Sequence, residues 1–136
     1  MFMNNNMRNL SLILGLILCF KAVPAFAQAK NCKDDSNYPE ISKAELTQLI
    51  ESKSVFVIDV NSESSFKKSR IPTAIHYETY EDTLAQALPQ EKDKLIVAYC
   101  GGPRCTAWKK AAREACKIGY TNIKHFKPGI KGWNQS

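Results

Sequence analysis

The chain has 136 residues, with 19 lysines and arginines against 13 aspartates and glutamates, for a formal net charge of +6. The positive charges are scattered and few aromatic residues lie among them, which argues against a nucleic-acid-binding surface. The two histidines, His76 and His125, lie far apart without the spacing of paired metal ligands, so we expect neither a metal site nor another cofactor.

Residues 1–27 have the pattern of a secretory signal peptide. A short polar start is followed by the apolar run 10–20 and by the small residues of Ala25-Phe26-Ala27. The apolar run has about 11 residues, whereas a helix that spans a bilayer needs about 20. We therefore expect cleavage after Ala27, a periplasmic or secreted location, and no membrane anchor in the mature protein.

The mature chain is expected to begin with an extended arm over residues 28–40, because this stretch is polar and lacks periodicity. Ser42 and Glu45 form a capping box, which predicts a helix over residues 43–52. The continuous apolar run at residues 55–60 is typical of a strand that is buried on both faces of a parallel sheet.

Helical and strand patterns continue to alternate in the middle of the chain. A short helical or turn-like piece at 63–69 precedes a brief strand at 74–76. An amphipathic helix is predicted over 80–88, ended by Pro89, and a buried strand over 95–99.

The last third predicts a helix over 106–118, with Thr106 as N-cap and Gly119 as its C-terminal stop. A strand at 122–126 and a turn at 127–129 follow. The alternation of helices and strands from 41 to 136 predicts one α/β domain with a mainly parallel sheet. Sites in such sheets form at the carboxyl ends of the strands.

Cys100 directly follows the predicted strand 95–99 and opens a glycine-containing loop. Backbone N–H groups of such a loop and a helix N-terminus lower the pKa of a cysteine thiol, so we interpret Cys100 as a nucleophile. The alternative is a Gly-Pro turn that follows a buried cysteine. The predicted substrate-binding loop consists of Gly101, Gly102, Pro103, Arg104, Cys105 and Thr106.

These loop residues suit a cysteine that attacks an electrophilic sulfur and holds it as a persulfide. Gly101 and Gly102 allow successive N–H groups to surround an anion, and Arg104 can bind an oxyanion. Pro103 removes one N–H group from this arrangement.

Four cysteines remain after the predicted cleavage, and they permit three complete disulfide pairings. They are Cys32, Cys100, Cys105 and Cys116. One hypothesis makes Cys105 a resolving cysteine that forms a disulfide with Cys100 or accepts its sulfur; the alternative is a small side chain at the helix start. Cys116 is expected to be buried and inert; the alternative is a Cys32–Cys116 disulfide that fastens the arm.

Several segments, in this order, resemble the rhodanese-like family. They are Val57-Ile58-Asp59-Val60, Arg70-Ile71-Pro72-Thr73-Ala74-Ile75-His76, Ile96-Val97-Ala98-Tyr99-Cys100, Gly119-Tyr120-Thr121-Asn122-Ile123 and Gly129-Ile130-Lys131-Gly132-Trp133. The resemblance implies a rhodanese-like α/β domain over residues 41–136, with a central five-stranded parallel sheet and helices on both faces. It further implies a catalytic cysteine at Cys100, a cradle at 101–106, and Asp59 as a structural hydrogen-bonding residue near the site.

The loop departs from the family pattern at three positions. Pro103 stands where glycine is common, Cys105 where arginine is frequent, and Asn61 where many members carry an arginine. Related phosphatases need an arginine at the position of Thr106, so phosphatase activity is not expected.

The expected function is an exported sulfurtransferase of the thiosulfate sulfurtransferase type, working through a Cys100 persulfide. Its donor would be thiosulfate, polysulfide or a persulfide, and its acceptor a thiol or a cyanide-like molecule. Two alternatives remain: a thiol-disulfide redox protein that uses Cys100 and Cys105, and a non-catalytic binding module. His76 and His125 are expected at the surface or at strand ends, and Trp108 either at the pocket mouth or packed on the body.

Overall fold

Within residues 30–136, which the computed structural model describes, a parallel sheet of four strands forms the centre of the fold. The strands are β1 (Val55–Asp59), β2 (Ile75–His76), β3 (Leu95–Tyr99) and β4 (Ile123–His125). Their order across the sheet is β2-β1-β3-β4, with every neighbouring pair parallel. The predicted α/β class and parallel sheet are confirmed, whereas the predicted signal peptide lies outside the described residues.

Helices occupy both faces of this sheet. They are α1 (Lys43–Glu51), α2 (Glu63–Lys68), α3 (Tyr77–Tyr80), α4 (Leu84–Ala87), α5 (Trp108–Ile118) and α6 (Gly129–Trp133). Short 3-10 helices lie at Asp35–Asn37 and Glu81–Thr83. None of the helices in this part of the chain is long and apolar enough to cross a membrane.

The prediction of five strands is wrong for the described residues. On the other side of β4 from β3, the segment before α1 contributes a single parallel bridge, from Glu40 to His125. Hydrogen bonds from Ile41 N to His125 O and from His125 N to Pro39 O support it. Ser42 caps α1 immediately afterwards by accepting a hydrogen bond from the N–H of Glu45. The chain therefore turns into a helix before this segment can extend into a fifth strand.

Alternate residues of β3 build two separate cores, because successive side chains of a strand point to opposite faces. Ile96 and Ala98 pack with α5, whose alanines Ala111, Ala112 and Ala115 are fully buried. The opposite core contains side chains of β1, β3 and α1, with side chains of α6 packed against it. The small residues of α5 let the helix lie close to the sheet.

The predicted helix 80–88 is divided into three short pieces. Tyr80, which precedes the 3-10 helix Glu81–Thr83, and Thr83, its last residue, both adopt non-helical backbone angles. Asp82 and Thr83 are poor helix formers, which accounts for the interruption. Leu84 and Leu88 are buried as predicted.

The arm before α1 is fastened to α5. A disulfide joins Cys32 to Cys116, with a Cα–Cα distance of 5.6 Å. The Asp35 carboxylate forms ion pairs with Lys109 at 2.6 Å and with Arg113 at 2.9 Å. One covalent bond and two ion pairs thus hold this arm against a single helix.

Candidate active site

The carboxyl ends of β1, β2 and β3 bring Asp59, His76 and Cys100 to one edge of the sheet. Asp59 lies in register with His76 on one side and with Tyr99 on the other. Cys100 follows Tyr99 directly, and its residue is only 2% exposed. The structure thus places Cys100 at the strand end where sites of parallel sheets form.

The loop that begins at Cys100 is held by the first turn of α6. Ile130 N donates to Cys100 O at 2.9 Å, and Lys131 N donates to Gly101 O at 3.1 Å. Gly129 comes so close that a Cβ atom there would lie 2.5 Å from Gly102 N and 2.6 Å from Cys100 O. Only glycine fits this position, since its φ of 60° also lies in the left-handed region.

A cavity of about 380 Å³ opens beside this loop. Its lining consists of Gly101, Gly102, Pro103, Arg104, Cys105 and Lys131. Arg104 and Lys131 bring two positive charges to the cavity, and no acidic residue lines it. This charge and size suit a small anion.

The loop amides are only partly available to such an anion. Cys105 N donates to Gly102 O at 3.0 Å, and Pro103 has no N–H group. The amides of Gly101, Gly102, Arg104 and Thr106 have no acceptor within residues 30–136. Four loop amides and two side-chain cations are therefore free of internal hydrogen bonds among the described residues, but the four amides do not form one consecutive run.

Cys100 and Cys105 are joined by a disulfide across the loop, with a Cα–Cα distance of 6.3 Å. The two residues differ in exposure: Cys100 is buried, whereas Cys105 is half-buried and lines the cavity. In this oxidised form the disulfide blocks the sulfur of Cys100, the predicted nucleophile, and Cys105 is the partner that lines the cavity.

A buried hydrogen-bond network supports the strand ends below the loop. The Tyr99 hydroxyl donates to Asp59 Oδ2 and accepts from Ile71 N at 3.0 Å. Burial and the bond to Asp59 raise the pKa of the Tyr99 phenol far above its usual range, so it stays a donor. Asp59 Oδ1 accepts from the amide and side chain of Asn61 at 2.7 and 2.8 Å. With three donors, Asp59 has the surroundings of a structural residue rather than of a free base.

His76 joins this network through Asn61. Its Nε2 lies 2.8 Å from Asn61 O, which can only accept, and its Nδ1 lies 3.0 Å from Thr79 Oγ1. The Asn61 side-chain oxygen also lies close to Gly101. Asn61 therefore joins the ends of β1 and β2 by hydrogen bonds and lies next to the cysteine loop.

Three residues of the site lay outside the predicted set. The sequence marks Asn61 only as a departure from the family pattern, and Gly129 and Lys131 only as parts of a closing turn. That turn is the short helix α6, which packs on the loop. The spacing of Gly129 and Gly132 was the available signal, because glycines mark places where backbones approach closely.

Thr106 is not the N-cap of α5. The helix begins at Trp108, its N-cap is Ala107, and no side chain caps it. The turn closed by Cys105 N and Gly102 O, together with the disulfide, holds the chain in loop geometry beyond the predicted helix start. Thr106 contributes only its carbonyl, which accepts from Lys109 N at 3.1 Å.

Both histidines lie at strand ends, as predicted, but neither is at the surface. His76 is 5% and His125 is 8% exposed. The ring of His125 stacks on Trp108 with a centroid distance of 3.7 Å. Burial lowers the pKa of His125 to about 4. Trp108 is buried in the body of the protein, not placed at the pocket mouth.

Among residues 30–136 no group of three or more His, Cys, Asp or Glu side chains could hold a metal ion. The arrangement offers instead a disulfide-paired cysteine, a cationic cavity and four loop amides without an internal acceptor. The catalytic role of Cys100 and the anion-binding role of the loop stay predictions.

Comparison with known proteins gives matches that cover most of the chain. The rhodanese-like domain family matches residues 42–136. The chain is 30% identical over 96 residues to a tRNA uridine(34) hydroxylase of Erwinia tasmaniensis, covering 66% of this chain and 27% of that protein. It is 24% identical over 104 residues to the thiosulfate sulfurtransferase GlpE of Shewanella oneidensis, covering 74% of this chain and 97% of that protein. The chain thus spans under a third of the hydroxylase it matches.

Solved structures share the fold. The human single-domain sulfurtransferase TSTD1 superposes with a TM-score of 0.58 at 20% identity, covering 72% of this chain and 98% of that one. The BH2092 protein of Bacillus halodurans gives a TM-score of 0.56 at 28% identity, with 73% of each chain covered. Sequence and fold agree, and the chain belongs to the rhodanese-like family.

Proposed function

We propose that the protein is an exported sulfurtransferase that carries sulfane sulfur as a persulfide on Cys100. The observation that carries this proposal is the cavity at the end of β3, where the cysteine loop meets Arg104 and Lys131. Family membership and the similarity to a thiosulfate sulfurtransferase support the reaction class.

The reaction needs Cys100 in its reduced form. Its thiolate attacks the sulfane sulfur of the donor, the sulfur–sulfur bond of the donor breaks, and the electron pair leaves with the donor's remaining anion. An acceptor thiolate or cyanide then takes the outer sulfur and returns Cys100 to thiolate. Arg104 and Lys131 hold the anionic donor, thiosulfate or polysulfide, beside the loop.

Export to an oxidising compartment belongs to the same proposal. It rests on the signal-peptide pattern of residues 1–27 and on the disulfide between Cys32 and Cys116, a bond that persists where thiols are not kept reduced. Fractionation of cells that produce the full chain tests it. The expected result is a processed protein outside the cytoplasm; an unprocessed cytoplasmic protein would contradict it.

Sulfur loading is tested by intact mass on a background that cannot form the loop disulfide. Reduced Cys105→Ser is incubated with inorganic polysulfide or thiosulfate, freed of reagent and weighed. We expect a gain of one sulfur atom. The matched control, Cys105→Ser with Cys100→Ser, should gain none; equal gain by both variants would place the sulfur elsewhere and contradict the proposal.

The Cys100–Cys105 disulfide favours a second candidate, a thiol-disulfide redox protein. The same mass measurement separates the two functions. Disulfide exchange of the wild type, combined with no sulfur uptake by Cys105→Ser, would support the redox function. A chain that does neither would be a binding module.

A further inference from the structure

We propose that Cys105 is a resolving thiol that converts the sulfur carried on Cys100 into hydrosulfide, so that the acceptor of the site is a dithiol reductant. This inference rests on the proposed persulfide at Cys100 and names its acceptor class. It is carried by the disulfide across the loop, by the unequal exposure of its two residues, and by the cations beside it.

The loop brings the two Sγ atoms to bonding distance without opening the fold. Cys105 N donates to Gly102 O, which closes a turn, while α6 holds the carbonyls of Cys100 and Gly101. The Cα–Cα distance of 6.3 Å lies within the range of protein disulfides. The partner of Cys105 is therefore the Sγ atom of Cys100.

This pairing selects which sulfur of the persulfide is attacked. The Cys105 thiolate attacks Sγ of Cys100, a bond forms between the two Sγ atoms, and the bond from Sγ to the outer sulfur breaks. Its electron pair leaves with the outer sulfur, which takes a proton from water and departs as hydrosulfide. The two cysteines lose two electrons in total, and the sulfane sulfur gains them.

Arg104 and Lys131 favour this outcome because the leaving group is an anion and both cations line the cavity into which it departs. Attack on the outer sulfur would instead move the persulfide onto Cys105. The direct bond between the two Sγ atoms in the structure is the product of the first route, not of the second.

The different exposure of the two cysteines decides which sulfur the reductant attacks when it reduces the loop disulfide. Cys105 is half-buried and lines the cavity, whereas Cys100 is 2% exposed. A thiolate of the reductant attacks Sγ of Cys105 and releases Cys100 as thiolate. The second thiol of the reductant then frees Cys105 and leaves with the disulfide. Over one cycle, one sulfane sulfur and one dithiol give one hydrosulfide and one disulfide.

The test is a single turnover without added thiol. Reduced, desalted wild type and Cys105→Ser each receive one equivalent of inorganic tetrasulfide under nitrogen; hydrosulfide and intact mass are then measured. We expect the wild type to release about one hydrosulfide per chain and to gain one disulfide, mapped by peptide digestion to Cys100 and Cys105. Cys105→Ser should keep one added sulfur and release hydrosulfide only after dithiothreitol is added.

Two results would overturn the inference, and they are distinguishable. If wild type and Cys105→Ser both retain the added sulfur, Cys105 does not resolve the persulfide, while the proposed transferase function stands. If neither chain takes up sulfur, the proposed function fails and the inference fails with it.

Discussion

Gly129 is the residue at which α6 and the cysteine loop come closest. A methyl group there would overlap backbone atoms of Cys100, Gly101 and Gly102, none of which can rotate away. The loop thus depends on a residue almost thirty positions further along the chain, through two backbone hydrogen bonds that need this approach. The conformation of the cysteine loop therefore depends on Gly129 as well as on the residues of the loop itself.

Gly129→Ala should therefore lower the free energy of unfolding by about 3 kcal/mol, because backbone must shift and a left-handed φ is strained. Urea unfolding measures the change. Gly119→Ala is the matched control: its φ of 109° is also positive, but nothing lies within 4 Å of the added Cβ. It should cost about 1 kcal/mol. Equal losses would mean that α6 does not pack tightly on the loop.

Tyr99 is the second residue on which the site depends, since its hydroxyl joins the buried Asp59 to Ile71 N. Tyr99→Phe leaves both groups without that partner and should destabilise the protein by about 2–3 kcal/mol. Tyr120→Phe, which removes a single bond to the carbonyl of Pro89, should cost about 1 kcal/mol. Thermal unfolding measures the loss of stability in both variants. A larger loss for Tyr120→Phe than for Tyr99→Phe would argue against a stabilising role of the Tyr99 network.

At the scale of the elements, the sequence predicted the regular segments well and the contacts between them poorly. The apolar runs of β1 and β3 mark buried strands unambiguously, and Gly119 ends α5 in the left-handed conformation, as predicted. A fifth strand was expected from the family pattern, yet Ser42 starts a helix too soon after Glu40.

At the site, too, the sequence predicts the residues of one local segment but not the residues that distant segments contribute. Cys100 and its loop follow from their position at a strand end, because that position is local in sequence. Lys131 and Asn61 lie beside the loop only because of the packing of α6 and the register of β1, which no local sequence pattern shows.

The end of β4 carries a pH-dependent contact. His125 stacks on Trp108 of α5, and burial lowers its pKa to about 4 from an ordinary value of 6.5. Glu40 opposes this shift, while Lys109 and Lys127 add to it. The unfolded chain therefore binds a proton between pH 6.5 and 4 that the folded chain does not bind. Stability present above pH 6.5 is lost as the pH falls through this window.

His125→Phe keeps an aromatic ring beside Trp108 but removes the titrating group. Urea unfolding at pH 7 and at pH 4.5 should show a wild-type loss that exceeds the loss of His125→Phe, by a difference on the order of 2–3 kcal/mol. Parallel losses in the two proteins would show that His125 does not control this pH dependence.

At the scale of the whole molecule, the two disulfides differ greatly in the sequence separation of their cysteines, and we assign them different roles. Cys32 and Cys116 are 84 positions apart and fasten the arm to α5, whereas Cys100 and Cys105 are five positions apart and lie within one loop. The long bond restricts the unfolded chain far more than the short one. We interpret the first as structural and the second as part of the chemistry.

Removing each disulfide in turn should distinguish the structural bond from the one that takes part in the chemistry. Cys32→Ser with Cys116→Ala should lower the free energy of unfolding by about 4 kcal/mol, and Cys105→Ser by no more than about 2 kcal/mol. Urea unfolding under non-reducing conditions measures both. A larger loss for Cys105→Ser would make the loop disulfide the structural one.

The most direct test of the account is the mass of reduced Cys105→Ser after incubation with inorganic polysulfide. The account predicts one added sulfur atom, removed by dithiothreitol and absent when Cys100→Ser is introduced into the same chain. Alkylation must first show that Cys100 is a free thiol. An unchanged mass in that protein would contradict the proposal that Cys100 carries sulfur.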